Sequence, residues 1–153
     1  MNGKFSGLGR YISILDRLMK MYYDHELADF EIGWGQQFYV EYLYEYPGAS
    51  AQEMVERFRV DKATLTKVIR KLVDIGYVRV VRSEDDRRMK QLYLTDAAVP
   101  AVKRVKEIHN SFQEVLSSGL SPEEQEQVER MMEKMVENIS SRVWHRMEGQ
   151  HGE

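Results

Sequence analysis

The chain has 153 residues, 42% hydrophobic and 31% charged, with 10 Gly and 3 Pro, the profile of one folded domain and not of a disordered or fibrous chain. It contains 0 Cys, which excludes disulfides, Cys-ligated zinc, iron–sulfur clusters and thiol redox sensing. The net charge of -3 argues against a nucleic-acid binder until its distribution is considered: Ser50 to Thr95 holds 11 Lys and Arg against 7 Asp and Glu, a balance of +4, so the remainder carries -7.

The opening residues carry no apolar stretch of the secretory-signal type, and no apolar run approaches the ~20 residues that span a bilayer. The expectation is a soluble cytoplasmic protein with no membrane partner. No repeat period or low-complexity tract appears.

From Leu8 to Leu27, Tyr11, Ile12, Leu15, Leu18, Met19 and Tyr22 recur at helical spacing, with Asp16, Arg17 and Lys20 between them. This predicts an amphipathic helix. Gly33 and Gly35 punctuate the chain before a second, aromatic helix from about Gln36 to Tyr46, which Pro47-Gly48 stops. Ser50-Ala-Gln-Glu53 is a capping box and opens a short helix through Met54, Val55 and Phe58. A break at Arg59-Val60 leads to Asp61, the expected cap of a helix whose apolar face is Leu65, Val68, Ile69, Leu72 and Ile75 and which Gly76 ends.

Beyond Gly76 the period changes. Tyr77 to Arg82 and Lys90 to Thr95 alternate as two strands around a charged turn at Ser83 to Asp86, predicting a hairpin. Thr95 is the expected cap of a fifth helix running to about Ser118, with Pro100 bending its first turn. Ser121-Pro122-Glu123-Glu124 is a second capping box, opening a last helix to about Met147 with the stripe Val128, Met131, Met132, Met135, Val136, Ile139 and Val143. The predicted fold is mainly α, about six helices with a small β-hairpin wing.

Two short helices joined by a tight turn and followed by a hairpin have the order of a winged helix-turn-helix, whose second helix enters the DNA major groove. Lys62, Thr64, Thr66, Lys67 and Arg70 lie off that helix's apolar face and offer hydroxyls and cations to bases and phosphates. Asp86, Arg87, Arg88 and Lys90 form the wing tip, with cations long enough for phosphates or a minor groove. Ser50 is expected to cap its helix beside a phosphate.

These residues resemble the multiple-antibiotic-resistance regulators, the MarR family. The resemblance is carried by Gln37-Phe38, Pro47-Gly48-x-Ser50-x-x-Glu53, Asp61-x-x-Thr64-x-Thr66-Lys67 and Leu72-x-x-x-Gly76-Tyr-Val. The most specific stretch is Asp86-Arg87-Arg88-x-x-x-Leu92-x-Leu94-Thr95. Ala98, where the family often has Gly, and Pro100 depart from the pattern. The resemblance implies a single domain over 1–153, in which 1–33 and 96–149 form a helical dimerisation base and 34–95 the DNA-binding unit. It implies an obligate homodimer on duplex operator DNA, a repressor or activator responsive to a small ligand, with Arg88 inserted in the minor groove and Asp86 orienting it.

Several features have plainer readings. The Met-rich last helix suits packing, because Met fills irregular gaps. Its residues Met135, Ile139, Val143 and Trp144, with Tyr11 and Ile12, are the expected dimer seam. Tyr11, Leu15, Tyr22, Phe38 and Tyr42, with Arg10 or Arg17 for an anion, are the expected lining of a pocket for an aromatic acid or phenol, against the alternative of a closed core. Of His25, His109, His145 and His151, none stands a helical step from another, and Glu107 and His109 face different sides, so no metal is expected at Glu26, Glu107 and His109. No zincin, nucleophile-elbow, Walker A or dinucleotide motif occurs, so neither an enzyme nor a cofactor is expected. The leading function is a ligand-responsive dimeric repressor on a pseudo-palindromic operator. The alternatives are a winged-helix protein-interaction module without DNA binding and a metal-responsive regulator.

Overall fold

The computed structural model describes residues 7–148; expectations for 1–6 and 149–153, His151 included, lie outside the described residues. In chain order the elements are α1 (Leu8–Glu26), α2 (Gln36–Glu45), β1 (Ala49–Ser50), α3 (Ala51–Phe58), α4 (Lys62–Asp74), β2 (Val78–Arg82), β3 (Lys90–Leu94), α5 (Val99–Leu116) and α6 (Pro122–Glu148). The three strands form one antiparallel sheet in the order β1-β3-β2. The mainly helical, winged architecture matches the expectation.

The hairpin register places Val80 opposite Leu92, and β1 adds Ala49 opposite the same Leu92 on its other side. The two-residue β1 is too short to leave a periodic signal, so the sequence reading shows two strands and not three. Two short 3-10 turns, Ala28–Phe30 and Asp96–Ala98, were likewise unanticipated.

The core lies between α2, the sheet and the first half of α5. Val40 and Leu43 of α2 meet Leu92 of β3 and Ala101, Val102, Val105 and Ile108 of α5, while Met54 of α3 joins Leu65 and Leu72 of α4 beside them. α1 attaches through its last turns. Tyr23 and Leu27 are buried, and the Tyr22 and Tyr23 rings lie 5.1 and 5.5 Å from the Phe112 ring of α5. Glu26 at the end of α1 pairs with Arg104 of α5.

One local expectation is corrected. Thr95 does not cap a helix; its hydroxyl donates to the Gly76 carbonyl and its N–H to Tyr77, tying the wing's base together. Its neighbours start as the 3-10 turn, and Pro100 sits inside the first turn of α5, where a missing N–H breaks no helical bond. The box at Ser121 and Glu124 forms reciprocally, at 3.1 and 2.8 Å.

Among the described residues, most of the apolar stripe of α1 and much of that of α6 stays exposed, although Ile139 and Val143 also border a cavity against Tyr39 and Phe58. Tyr11 is 56% exposed and Ile139 61%, and Ile12, Leu18, Met132 and Val143 are exposed with them. Trp144, expected on the same seam, lies one helical step round from Val143 and is buried in the chain's own core.

Gln37 is 1% exposed, and among the described residues neither side-chain amide atom has a hydrogen-bond partner. A buried amide left unpaired carries its full desolvation cost, which a similar-sized apolar side chain removes. Gln37→Met should therefore stabilise the fold by about 1 kcal/mol, read as a thermal midpoint raised by roughly 2–4 °C.

Candidate nucleic-acid interface

Capping chemistry aims the helix-turn-helix. Ser50 Oγ accepts the Glu53 N–H at 3.1 Å and Glu53 Oε2 accepts the Ser50 N–H at 2.6 Å, so the start of α3 closes on itself. Ser50 is buried and its hydroxyl engaged, which makes it a cap that also lines the groove described below. Arg59 then turns the chain in the left-handed region, φ 50°, unusual for a side chain of its size. Asp61 Oδ1 accepts the Thr64 N–H at 2.7 Å and Oδ2 the Thr64 hydroxyl at 2.6 Å, which starts α4.

Burying Leu65 and Leu72 turns the opposite side of α4 outward, and Lys62, Thr64, Thr66, Lys67 and Arg70 are all exposed there. The two threonines differ from the expectation in one respect. The Thr64 hydroxyl is committed to Asp61, and the Thr66 hydroxyl donates to the Lys62 carbonyl at 2.7 Å, leaving their oxygens as acceptors.

Between α4 and the wing lies a groove of about 540 Å³. Its floor is Leu65, Ile69, Val80, Met89 and Leu92, and its polar rim is Ser50, Gln52, Lys62, Thr66, Arg88 and Lys90. Three cations and no carboxylate line it, in a chain of net negative charge. Lys67, Arg70 and Thr64 stand on the outer side of α4, outside the groove lining. Gln52 and Met89 belong to the groove but were not singled out from sequence; Gln52 occupies a capping-box position and Met89 follows Arg88, and neither spacing tells which way they face.

At the wing tip the Asp86 N–H approaches Ser83 Oγ, the Met89 N–H donates to the Asp86 carbonyl at 2.9 Å and the Ser83 N–H to the Met89 carbonyl at 3.0 Å. Asp86 Oδ1 accepts the Arg88 backbone N–H at 2.9 Å. The expected orientation of Arg88 by Asp86 thus acts on the backbone, in an Asx turn, and not on the guanidinium. Arg87, Arg88 and Lys90 are left exposed.

Residues 33–90, from the linker before α2 to the start of β3, match the model of the MarR family. A curated relative, an uncharacterised HTH-type transcriptional regulator of Bacillus subtilis (strain 168), is 26% identical over 88% of this chain and 89% of its own length. A crystal structure of a MarR transcriptional regulator from Methanosarcina mazei is 30% identical, with TM-score 0.77 over 88% of this chain and 97% of that one. The chain belongs to the MarR family. The same fold occurs in the Staphylococcus aureus MepR–DNA complex, 22% identical, TM-score 0.81, covering 90% of this chain and 99% of that one. The family relatives are transcriptional regulators and not enzymes.

Of the expected effector lining, Tyr22 and Phe38 fall in one aromatic cluster joined by Tyr23 and Trp34, while Tyr11, Leu15 and Tyr42 lie outside it. Tyr11 and Leu15 are exposed on α1, with the Arg10 guanidinium over the Tyr11 ring at 5.0 Å and Arg17 bonded to Ser13 at 2.6 Å. Tyr22 packs on Phe112, Phe38 on Trp34, and Tyr42 on Tyr46 and Phe58. α1 meets α5 through Tyr22 and Tyr23 on Phe112 and Glu26 with Arg104, all toward the end of α1, while Tyr11 and Leu15 nearer its start stay exposed.

A cavity of about 470 Å³ does lie under the helix-turn-helix turn, lined by Tyr39, Phe58, Arg59, Val60, Asp61, Ser140, Trp144 and two α6 aliphatics. Burial pushes the Tyr39 phenol up, and the Asp61 charge adds to this, so the hydroxyl remains a neutral donor. Glu26 and Glu107, weighed as metal ligands, are both held by Arg104. Among the described residues no group of three His, Asp or Glu is placed to hold a metal ion, and no helix is long and apolar enough to cross a membrane.

Hydrogen bonds from Thr64 hold the Asp61 carboxyl below its usual range of about 3.8. Such a depressed value contributes stability that is present above the unfolded carboxylate value and lost as pH falls through the folded one. The thermal midpoint of Asp61→Ala should lie below that of the parent at neutral pH, and the gap should begin to narrow only below about pH 3.8 and close as pH falls through the lower folded value. A gap independent of pH would remove the carboxylate cap from α4.

Proposed function

We propose that this MarR-family chain binds duplex DNA as a symmetric homodimer, represses from a pseudo-palindromic operator and releases it when a small aromatic acid or phenol binds. In this reading 34–95 reads DNA, 1–33 and 96–149 supply the dimer base, and the protein works in the cytoplasm. The observation that carries it is the cationic, carboxylate-free groove between α4 and the wing, with Lys67 and Arg70 exposed beside it. That pattern favours a polyanion over the protein-interaction alternative, which needs no acid-free groove. The uncovered stripes of α1 and α6 support the dimer, since apolar surface of that extent on one chain marks an interface. A two-fold axis there sets the two α4 helices about one duplex turn, ~34 Å, apart.

The test is titration of the full-length protein against a duplex selected from a randomised library, across a salt series, with oligomeric state followed by sedimentation. The expected result is a dimer burying more than ~2,000 Å² whose affinity falls steeply with salt. Lys67→Ala should cost ~1–3 kcal/mol on the selected duplex and less on random DNA, while Arg88→Ala should weaken binding to both and lower the salt slope by about one. Absent or salt-insensitive binding would favour the interaction module.

For the effector, the cavity at Tyr39, Phe58, Arg59 and Trp144 takes the place of the lining expected from sequence, because aromatic walls and a guanidinium converge there. Rings stack on rings, and Arg59, now paired with Glu137 at 3.2 Å, can turn to a carboxylate. Salicylate-like acids should bind at roughly micromolar to millimolar concentration, quench Trp144 and release DNA, and Arg59→Gln should abolish the response. A full response in Arg59→Gln would exclude this cavity.

A further inference from the structure

The linker between α1 and α2 touches both the helical base and the recognition helix through specific side chains. The Trp34 N–H donates to Asp24 Oδ1 at 2.7 Å, and its indole N–H donates to Asp16 Oδ1 at 2.9 Å. Asp16 and Asp24 are eight residues apart on α1, so one linker residue grips two points about two turns apart. Two such points define the rotation of α1 as well as its distance. The Trp34 ring is itself wedged between Tyr23 and Phe38, each 5.2 Å away. Gly33 permits the approach, because a Cβ there would stand 2.4 Å from Asp24 Oδ1.

Two residues on, Gln36 Oε1 accepts the Gly33 N–H at 3.0 Å and the Lys71 ammonium at 2.9 Å. Lys71 belongs to α4, one residue past Arg70 and four past Lys67. Hydrogen bonds on either side of the Gly33–Trp34 peptide therefore link the base helix to the element that carries the reading residues. The Lys20 ammonium, 2.5 Å from Asp24, holds that carboxyl below its usual range, aided by the Trp34 N–H, so it stays an acceptor at neutral pH. Asp16 and Lys71 are exposed and the rest half-buried, so these bonds add little to global stability while defining a direction.

We propose that Asp16, Asp24, Trp34, Gln36 and Lys71 are positioning residues that latch α4 to α1 and so set the separation of the two recognition helices in the dimer. The inference rests on the dimeric DNA-binding reading. A latched α4 discriminates sharply between half-site spacings, whereas an unlatched one samples several angles and tolerates spacing errors.

The experiment uses the full-length protein and its library-selected duplex, with versions carrying one base pair inserted or removed between the half-sites. Wild type should prefer the selected spacing. Trp34→Phe, which keeps the ring and removes the indole N–H, and Lys71→Met, which keeps the stem and removes the amine, should each reduce that preference about fivefold. Their affinity for a single half-site and their salt slope should stay at wild-type values, and Lys71→Arg should restore the preference. Asp16→Ala, an exposed change that leaves the core intact, should behave as Trp34→Phe does. An unchanged spacing preference in Asp16→Ala and Lys71→Met would overturn the latch. So would a Lys71→Met salt slope lower by about one with the preference intact, since Lys71 would then be a phosphate contact. A wild-type protein that binds no duplex would overturn the DNA-binding reading itself, and the latch with it.

Discussion

The burial of Leu65 and Leu72 beneath α4 is the constraint on which the interface depends. They are 1% and 0% exposed and seven residues apart, so they anchor both halves of one helical face. Each buried leucine is worth roughly 1.5–3 kcal/mol, against 0–1 kcal/mol for a surface ion pair. Apolar packing therefore decides how α4 rotates, and the cations follow. Once those leucines meet Met54 and Leu92, Lys62 and Thr66 can only border the wing, and Lys67 and Arg70 can only face outward.

Hydrogen bonding refines what packing sets. Caps are spent where direction matters: the Ser50–Glu53 box starts α3, Asp61 starts α4, and Thr95 closes the wing onto Gly76. The same pattern shapes the outward face of α4. Thr64 and Thr66 already use their hydroxyl protons inside α4, so in this state they offer acceptors, and the donors facing outward are lysine and arginine. The exception to the pattern is Gln37 of α2, a core amide with no partner among the described residues.

The outward stripes of α1 and α6 show the other side of the balance. Among the described residues no element covers them, and α5 packs its buried face on α2. In the proposed homodimer this apolar surface, with acidic residues along the remaining faces of α6, would supply the symmetric contact.

Long periodic segments and capping boxes were legible directly. The six helices, the hairpin, both reciprocal boxes and the outward cations of α4 follow from spacing and side-chain chemistry, which are local and survive without tertiary context. Contacts between segments distant in sequence were not legible. The two-residue β1, the inward turn of Trp144, the backbone role of Asp86, the grip of Trp34 on Asp16 and the scattering of Tyr11, Tyr22 and Tyr42 each depend on which partner arrives from elsewhere. The sequence by itself determined which residues lie on each helix face, because a 100° step per residue is intrinsic to the backbone. Only the tertiary structure decided what each face meets, because the reach of α5 along α1 and the approach of α4 to the linker are properties of packed elements and of no single stretch of chain.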